Sequence, residues 1–569
     1  MIKESSNNWK TFETKTTSLS IKDEEILEKK PSGKSSNKLW RGLVKVSDKL
    51  DSFGVESTGI NRIAPYERGT YARQFLHVAG LWLSASGSLS SMSSFFLGPL
   101  VFELTFKQSL VSGIISMFIG CLIAAYCSIM GPQSGCRQMV TARFLFGWWF
   151  VKFVALASII GVMGWSVVNC VVGGEMLSSI SDEKIPLWVG IIIVTVFSFL
   201  VATFGIKQVL KVESYISVPV LTCFTLLYIS SSDKFSLVNN IDNSSVEPST
   251  IKGNWMSFFS LCYSITSTWG SIAADYYILF PEDAPKYQVF MLTFFGTFIP
   301  TLYVGVLGLL LAAIAVTYEP WTEQYNSYGM GGLLHAGFER WNGFGKFCVV
   351  VLILSLISNN IINTYSAAFS IQLSSVFASH VPRWFWSIAC TVVYLVCALV
   401  GRNHFSTILG NFLPMIGYWL SIYFVLLLEE NVILRRYFLH LYILEFPPDC
   451  REDSEDSEHE SIKVGTSEQI KKKTVNMHEI KRKHLSAKHR YNWDMWNNYS
   501  VLTHGYAATF AFLCGVAGVV VGMAQVYWVG PVAAHFGELG GDLGMWLSMA
   551  FSGLVYPFCR YMELRKFGR

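Results

Sequence analysis

Apolar runs recur along this chain, each close to the ~20 residues that an α-helix needs to cross the hydrocarbon core of a bilayer. In lipid every backbone N–H and C=O must find a partner within the protein, so a chain built of such runs is confined to helices. Charged residues make up 15% of its 569 residues, whereas a soluble protein carries about a quarter. The reading is an all-α polytopic membrane protein with twelve transmembrane helices, at roughly 76–98, 108–130, 150–179, 187–205, 214–232, 255–280, 289–317, 346–376, 382–401, 406–430, 502–528 and 540–562.

Lys and Arg are sorted along the chain, which sets orientation by the positive-inside rule. With the N-terminus inside, Arg137, Arg143, Lys152, Lys207, Lys211 and Arg383 fall on the cytoplasmic side, as do Lys471–Lys473 and the Arg565–Arg569 tail. The opposite loops hold few cations, so both termini are expected in the cytoplasm. The polar N-terminus has no signal-peptide core, and the first span is expected to serve as the targeting signal. Four regions follow: a cytoplasmic segment 1–74, a core 75–430 with halves 75–232 and 255–430, a cytoplasmic loop 431–500, and a last helix pair with tail 501–569. The loop turns from basic to acidic (REDSEDSEHES) and back, which suits either a phosphorylatable regulatory segment or a solvated linker. Asn243 lies in an outer-loop Asn-X-Ser sequon and is a glycosylation candidate.

The 12 cysteines are scattered mainly through apolar segments without CxxC or Cys/His spacing, so neither a metal site nor a disulfide framework is expected. No nucleophile triad or phosphate loop appears; the chain reads as no enzyme. Instead, polar groups gather at three places in the apolar spans. The first span (LWLSASGSLSSMSS) and the sixth (CYSITSTWGSIAADYY) are crowded with Ser, Thr and Gly, including Ser84, Ser86 and Thr268, and they open the two halves. Interrupted segments at matching positions of two halves point to discontinuous helices around a midplane transport site. In the third span Trp165 and Asn169 share one helix face, being four residues apart. The eighth carries Asn359, Asn360 and Asn363, and a buried unpaired amide costs on the order of 1–3 kcal/mol. Trp165 and Trp269 with Asn169 and Asn363 make a plausible clamp for a flat, neutral heterocycle. Among the acidic residues in or beside spans, Glu175, Glu213, Asp275, Glu429 and Glu430 are candidates for proton relay by default.

The motifs GVESTGI, LGPLVFELTFKQS, GPQSGCRQM, GWSVVN, TWGSIAADYYILFPED, NGFGKF, SNNIIN, MAQVYWVG and ELRKFGR resemble the nucleobase-cation-symport-1 family, in its fungal purine-cytosine permease branch. The resemblance runs from about Gly54 to Arg569. Within that branch CSIMGPQSGCRQMVTAR and the RKH-containing loop look most similar to fungal plasma-membrane carriers of vitamin B6 (pyridoxine). The resemblance implies a LeuT-like 5+5 inverted repeat plus two extra helices, with alternating access. It also implies proton-coupled import at the plasma membrane, with protons as coupling ion and no cofactor. By its pattern the substrate meets Trp165, Asn169, Trp269 and Asn363, with Asn360, Thr268, Ser84 and Ser86 as further candidates. Asp275 and Glu175 are the coupling or gating candidates. The branch pattern Asn-Asn-x-Pro-Asn is broken by Ile362 at the Pro position, which restores an N–H and puts cytosine or purines in doubt. A permease for cytosine, purines or thiamine stays open as an alternative, as does a nutrient receptor. The expected partners are a small planar heterocycle and membrane lipid, with no nucleic acid; oligomeric state stays open.

Overall fold

A computed structural model describes residues 60–202, 206–241, 243–442 and 490–569. Most of the 1–74 segment and most of the 431–500 loop lie outside the described residues. Fourteen helices, labelled below, carry the architecture. Seven helices among the described residues are long and apolar enough to cross a membrane unaided, the most apolar being Lys286–Thr317. The remaining spans depart from that form, and each departure has a cause.

The first span is two helices, α1 (Tyr71–Ser86) and α2 (Leu89–Phe95), separated at Gly87 and Ser88, the latter fully extended at φ −124°, ψ 162°. A break inside a bilayer leaves helix-end groups without partners, and here the eighth span supplies them. Asn359 donates through Nδ2 to the Ala85 carbonyl (3.2 Å) and to Ser88 Oγ (2.6 Å), and the Leu89 N–H donates to Ser355 Oγ (3.2 Å). The second and third spans are α3 (Phe106–Ser128) and α4 (Arg143–Ile180). Helix α4 kinks at Gly147, φ +70°, where a Cβ would sit 2.5 Å from the Thr503 carbonyl oxygen. Helices α5 (Leu187–Ala202) and α6 (Ile206–Ser231) complete the first half.

The sixth span starts as α7 (Pro248–Ser267) and then unwinds into two 3-10 turns, Thr268–Ser271 and Ala273–Tyr276, on either side of Ile272. Helix α8 (Lys286–Thr317) follows. Next comes α9 (Glu319–Gly337), which the apolar-run reading passed over because its residues are too polar to resemble a span. It bends at Gly329, φ +60°, where a Cβ would meet the Glu175 carboxylate at 2.5 Å. Helix α10 (Asn342–Ser374) is the eighth span and runs unbroken through the three asparagines. Helices α11 (Arg383–Gly401) and α12 (Phe405–Glu429) are the ninth and tenth.

The expected eleventh span, 502–528, is shorter than its apolar run. Helix α13 (Tyr506–Gly522) stops, and the chain turns through an antiparallel pair, β1 (Ala524–Gln525) with β2 (Trp528–Val529). Gly522 and the following Met523, already extended at ψ 147°, end the helix there. Helix α14 (Gly544–Phe567) closes the chain, with Arg560, Glu563, Arg565 and Lys566 near its end.

Candidate functional site

The two breaks, together with α4 and α10, line a pocket in the middle of the bundle. Helix α2 contributes Ser90 and Ser91, α4 contributes Val162 and Trp165, and the unwound sixth span contributes Ile265, Thr268, Trp269 and Ile272. Helix α10 contributes Asn359 and Asn363. None of these polar or aromatic residues is more than 9% exposed. No charged side chain lines it. Two indoles offer stacking surface, while two amides and three hydroxyls offer hydrogen bonds in fixed places. The Asn363 amide has no hydrogen-bond partner among the described residues and is free to meet a ligand.

Of the residues singled out by sequence, Trp165, Trp269, Thr268 and Asn363 line this cavity, and Asn169, Asn360, Ser84 and Ser86 stand behind it. Asn169 is wholly buried and donates through Nδ2 to Asn360 Oδ1 at 2.9 Å. Asn360 in turn points its own NH₂ at Cys170 Sγ and at Ser198 Oγ of α5, each at 3.3 Å. The pair therefore ties α4, α5 and α10 together directly behind the Trp165 wall, with Asn169 Oδ1 unpaired. Ser84 Oγ lies 2.8 Å from Ser358 Oγ, while the Ser86 carbonyl accepts from Thr301 at 3.3 Å.

Ser90, Ser91, Val162, Ile265 and Ile272 entered the lining without having been singled out. The two serines were visible as part of the LSSMSS break, whereas the three aliphatics look like any lipid-facing residue in sequence. Trp82, fully buried behind Trp269, was likewise hidden among apolar neighbours. Ile362 is completely buried outside the lining, and its carbonyl accepts from the Tyr276 hydroxyl at 3.4 Å.

The gating candidates lie at opposite ends. Asp275 accepts from the Gln138 N–H at 2.7 Å, and Gln138 reaches back through Oε1 to the Ala274 N–H at 3.0 Å. This reciprocal pair ties the unwound sixth span to the 130–142 segment, with Gln138 Nε2 also donating to the Tyr423 hydroxyl at 2.7 Å. Glu175 lies at the other end, where Oε2 accepts from the Gly331 N–H of α9 at 3.3 Å. Asn243, partly buried, donates through Nδ2 to Gln108 Oε1 at 2.9 Å.

A family profile described as a permease for cytosine/purines, uracil, thiamine and allantoin matches residues 71–445. The vitamin B6 transporter TPN1 of Saccharomyces cerevisiae is 73% identical over 526 residues, covering 92% of this chain and 90% of that protein. The purine-cytosine permease fcyB of Emericella nidulans is 30% identical over 519 residues, 90% of each chain. Among solved structures, Mhp1, a nucleobase-cation-symport-1 transporter in a closed conformation with bromovinylhydantoin bound, matches with a TM-score of 0.60. That match covers 90% of this chain and 97% of the other at 12% identity, and it places the chain in the LeuT-like transporter fold.

Proposed function

Because this chain belongs to the family of permeases for cytosine/purines, uracil, thiamine and allantoin, we propose that it imports vitamin B6 across the plasma membrane. The observation that carries this reading is the 73% identity to a vitamin B6 transporter over 92% of the chain. The site agrees chemically. Pyridoxine is a flat, substituted pyridine bearing hydroxyl groups, and the cavity offers Trp165 and Trp269 for its faces and Asn363, Asn359, Ser90 and Ser91 for its edge. The lining suits the pyridine ring common to pyridoxine, pyridoxal and pyridoxamine, while the pyridoxamine ammonium would meet no counter-charge in it.

Import proceeds by alternating access between two inverted five-helix halves, with α13 and α14 as additions and both termini in the cytoplasm. Breaks at the first position of each half support this arrangement, since such breaks cluster at the midplane of inverted-repeat transporters. Protons drive the cycle. Labelled pyridoxine uptake in cells lacking their own carrier tests the reading, measured across external pH with and without a protonophore. Saturable accumulation that rises with acidity and collapses with the protonophore is expected. Binding without accumulation would point to a receptor instead, and uptake of cytosine in preference to pyridoxine would favour the second reading suggested by the 30% match to purine-cytosine permeases.

A further inference from the structure

Behind the break of the first span, α1, α6 and α10 meet around a single carboxylate. Glu213 of α6 is 0% exposed, and its Oε2 accepts a hydrogen bond from the Ser358 hydroxyl of α10. Ser358 Oγ lies 2.8 Å from Ser84 Oγ, two residues before the end of α1. The other oxygen, Oε1, is buried with no hydrogen-bond partner. Ser355, one turn before Ser358, already holds the first N–H of α2 across the break. The carboxyl group thus touches the same short stretch of α10 that supports the discontinuity beside the cavity.

Among the described residues no counter-charge faces Glu213. On its own helix Lys211 is exposed, and on α1 Arg73 is exposed and His77 is half-buried. On α8 Lys286 and Tyr287 are exposed, while Tyr303 pairs with Thr225. On α10 Lys346 is paired with Asp182, and Tyr365 accepts from Arg137. On α9 Glu319 and Glu323 are exposed, while His335 pairs with Ser179. Among the described residues, the hydroxyls of Ser358 and Ser84 are what face the carboxyl. A buried carboxylate without a cation is strongly disfavoured, whereas a carboxylic acid in the same place is tolerated. A dry junction of α1, α6 and α10 therefore suits the neutral acid, and ionising it calls for water to enter there.

Resting on the proton-driven import proposed above, we propose that Glu213 is the group that carries the coupling proton. A proton taken from the outer solution forms the O–H bond at Glu213, which makes the group neutral and permits closure around substrate. Opening towards the cytoplasm wets the α1–α6–α10 junction, the O–H bond breaks, and the proton leaves to water on that side. One positive charge then crosses with each neutral substrate molecule. Asp275 plays a different part, because its carboxylate is held by a backbone N–H of the 130–142 segment rather than beside the cavity's break.

The test compares full-length wild type with Glu213→Gln, a permanently neutral mimic of the protonated acid, in cells lacking their own carrier. Surface delivery is followed by a fluorescent tag. The wild type is run first with a protonophore and with sodium replaced by choline. Protonophore-resistant accumulation there would overturn the proton-driven reading itself, and sodium dependence would overturn the choice of ion. Given proton-dependent wild-type uptake, Glu213→Gln should lose the accumulation ratio by about tenfold per pH unit of gradient. It should still exchange internal for external labelled pyridoxine, with a flat pH profile. Accumulation by Glu213→Gln with the wild-type pH profile would overturn the assignment. If Glu213→Gln fails to reach the surface, Ser358→Ala decides. That variant keeps the carboxyl but removes its donor, so the acid limb of the uptake profile should move to higher pH; an unmoved limb overturns the proposal.

Discussion

Trp82 and Trp269 stand edge to face, with ring planes 83° apart and centroids 5.6 Å apart. Trp82 is not part of the cavity lining, yet it fixes a ring that is. Its Nε1 donates to the Tyr277 hydroxyl at 3.0 Å, and that hydroxyl lies 2.6 Å from Thr293 Oγ1, which donates to Ser128 Oγ at 2.8 Å. A string of buried polar groups from α8 and α3 therefore sets the tilt of a cavity-lining indole on an unwound segment. Edge-to-face pairs add about 0.5–1.5 kcal/mol beyond burial, and the Trp82 N–H cannot be left without an acceptor.

Tyr277→Phe should therefore cost about 1–3 kcal/mol by stranding the buried Trp82 N–H. A lower melting temperature of the detergent-purified protein is expected, together with a raised KM for pyridoxine. An unchanged melting temperature would show that Trp82 finds another acceptor.

Asn169 and Asn360 should behave as one unit. Replacing either by Ala removes the bond that holds α4 against α10 behind Trp165. Uptake should fall steeply in both single variants, and the double variant should be no worse than the more damaged single one. Contacting residues in a shared network show coupling of about 0.5–3 kcal/mol in such a cycle. Fully additive losses, measured as kcat/KM for pyridoxine at equal surface expression, would separate the two residues.

Ile362→Pro should impair pyridoxine import although Ile362 does not line the cavity. The substitution removes an N–H from an unbroken helix and its ring meets the carbonyl one turn earlier, at a cost of about 3 kcal/mol in a helix interior. That carbonyl belongs to Ser358, so the bend would fall where α10 supports the first break. Uptake and competition by cytosine read the outcome; unchanged pyridoxine kinetics would show that the helix path does not select the substrate.

Glu430→Gln should destabilise the protein by about 3–5 kcal/mol, the usual cost of stranding a buried ion-pair partner. The Glu430 carboxylate, 0% exposed, accepts from Arg435 (2.9 Å), Tyr442 (2.9 Å), Tyr556 (2.8 Å) and Arg560 (3.3 Å). Loss of its charge takes that carboxylate from buried Arg435, while Arg560 keeps Glu563 at 3.1 Å. Thermal unfolding in detergent measures the loss, and Arg435→Met in the same background should recover part of it.

Stability should also fall as the medium is acidified, through His335 on α9. Burial, and then the Lys346 ammonium, hold its imidazole below the usual 6.5. The unfolded chain takes up the proton first, so the fold loses stability as pH drops below about 6.5 and the loss levels off below the folded value. Ser179 Oγ, 2.9 Å from Nδ1, is the partner at stake. Melting temperatures of wild type and His335→Gln between neutral and mildly acid pH should diverge in slope, with the variant flatter; parallel curves would remove His335 from the account.

Apolar run length determined the membrane class and most helix positions, because a bilayer forces a continuous hydrophobic segment wherever a helix crosses it. The interrupted first and sixth spans were equally legible, since Ser and Gly are conspicuous where only hydrocarbon is expected. Helix α9 and the β1–β2 turn escaped, the first because it is too polar to resemble a span and the second because its apolar run continues past the helix end. Periodicity also placed Trp165 with Asn169 on one helix face and Asn360 with Asn363 on one helix. It could not decide which of them lines the cavity. Only packing did that: Asn363 faces the cavity, whereas Asn169 and Asn360 spend their amides on each other and on α5. The same holds for the carboxylates. Sequence favoured Asp275 over Glu213, yet the hydrogen-bond partners that distinguish the two come from residues more than a hundred positions away. Side-chain spacing along one helix is a local property, while burial, counter-charge and hydrogen-bond partners belong to the assembled bundle, and those decide the chemistry of the site.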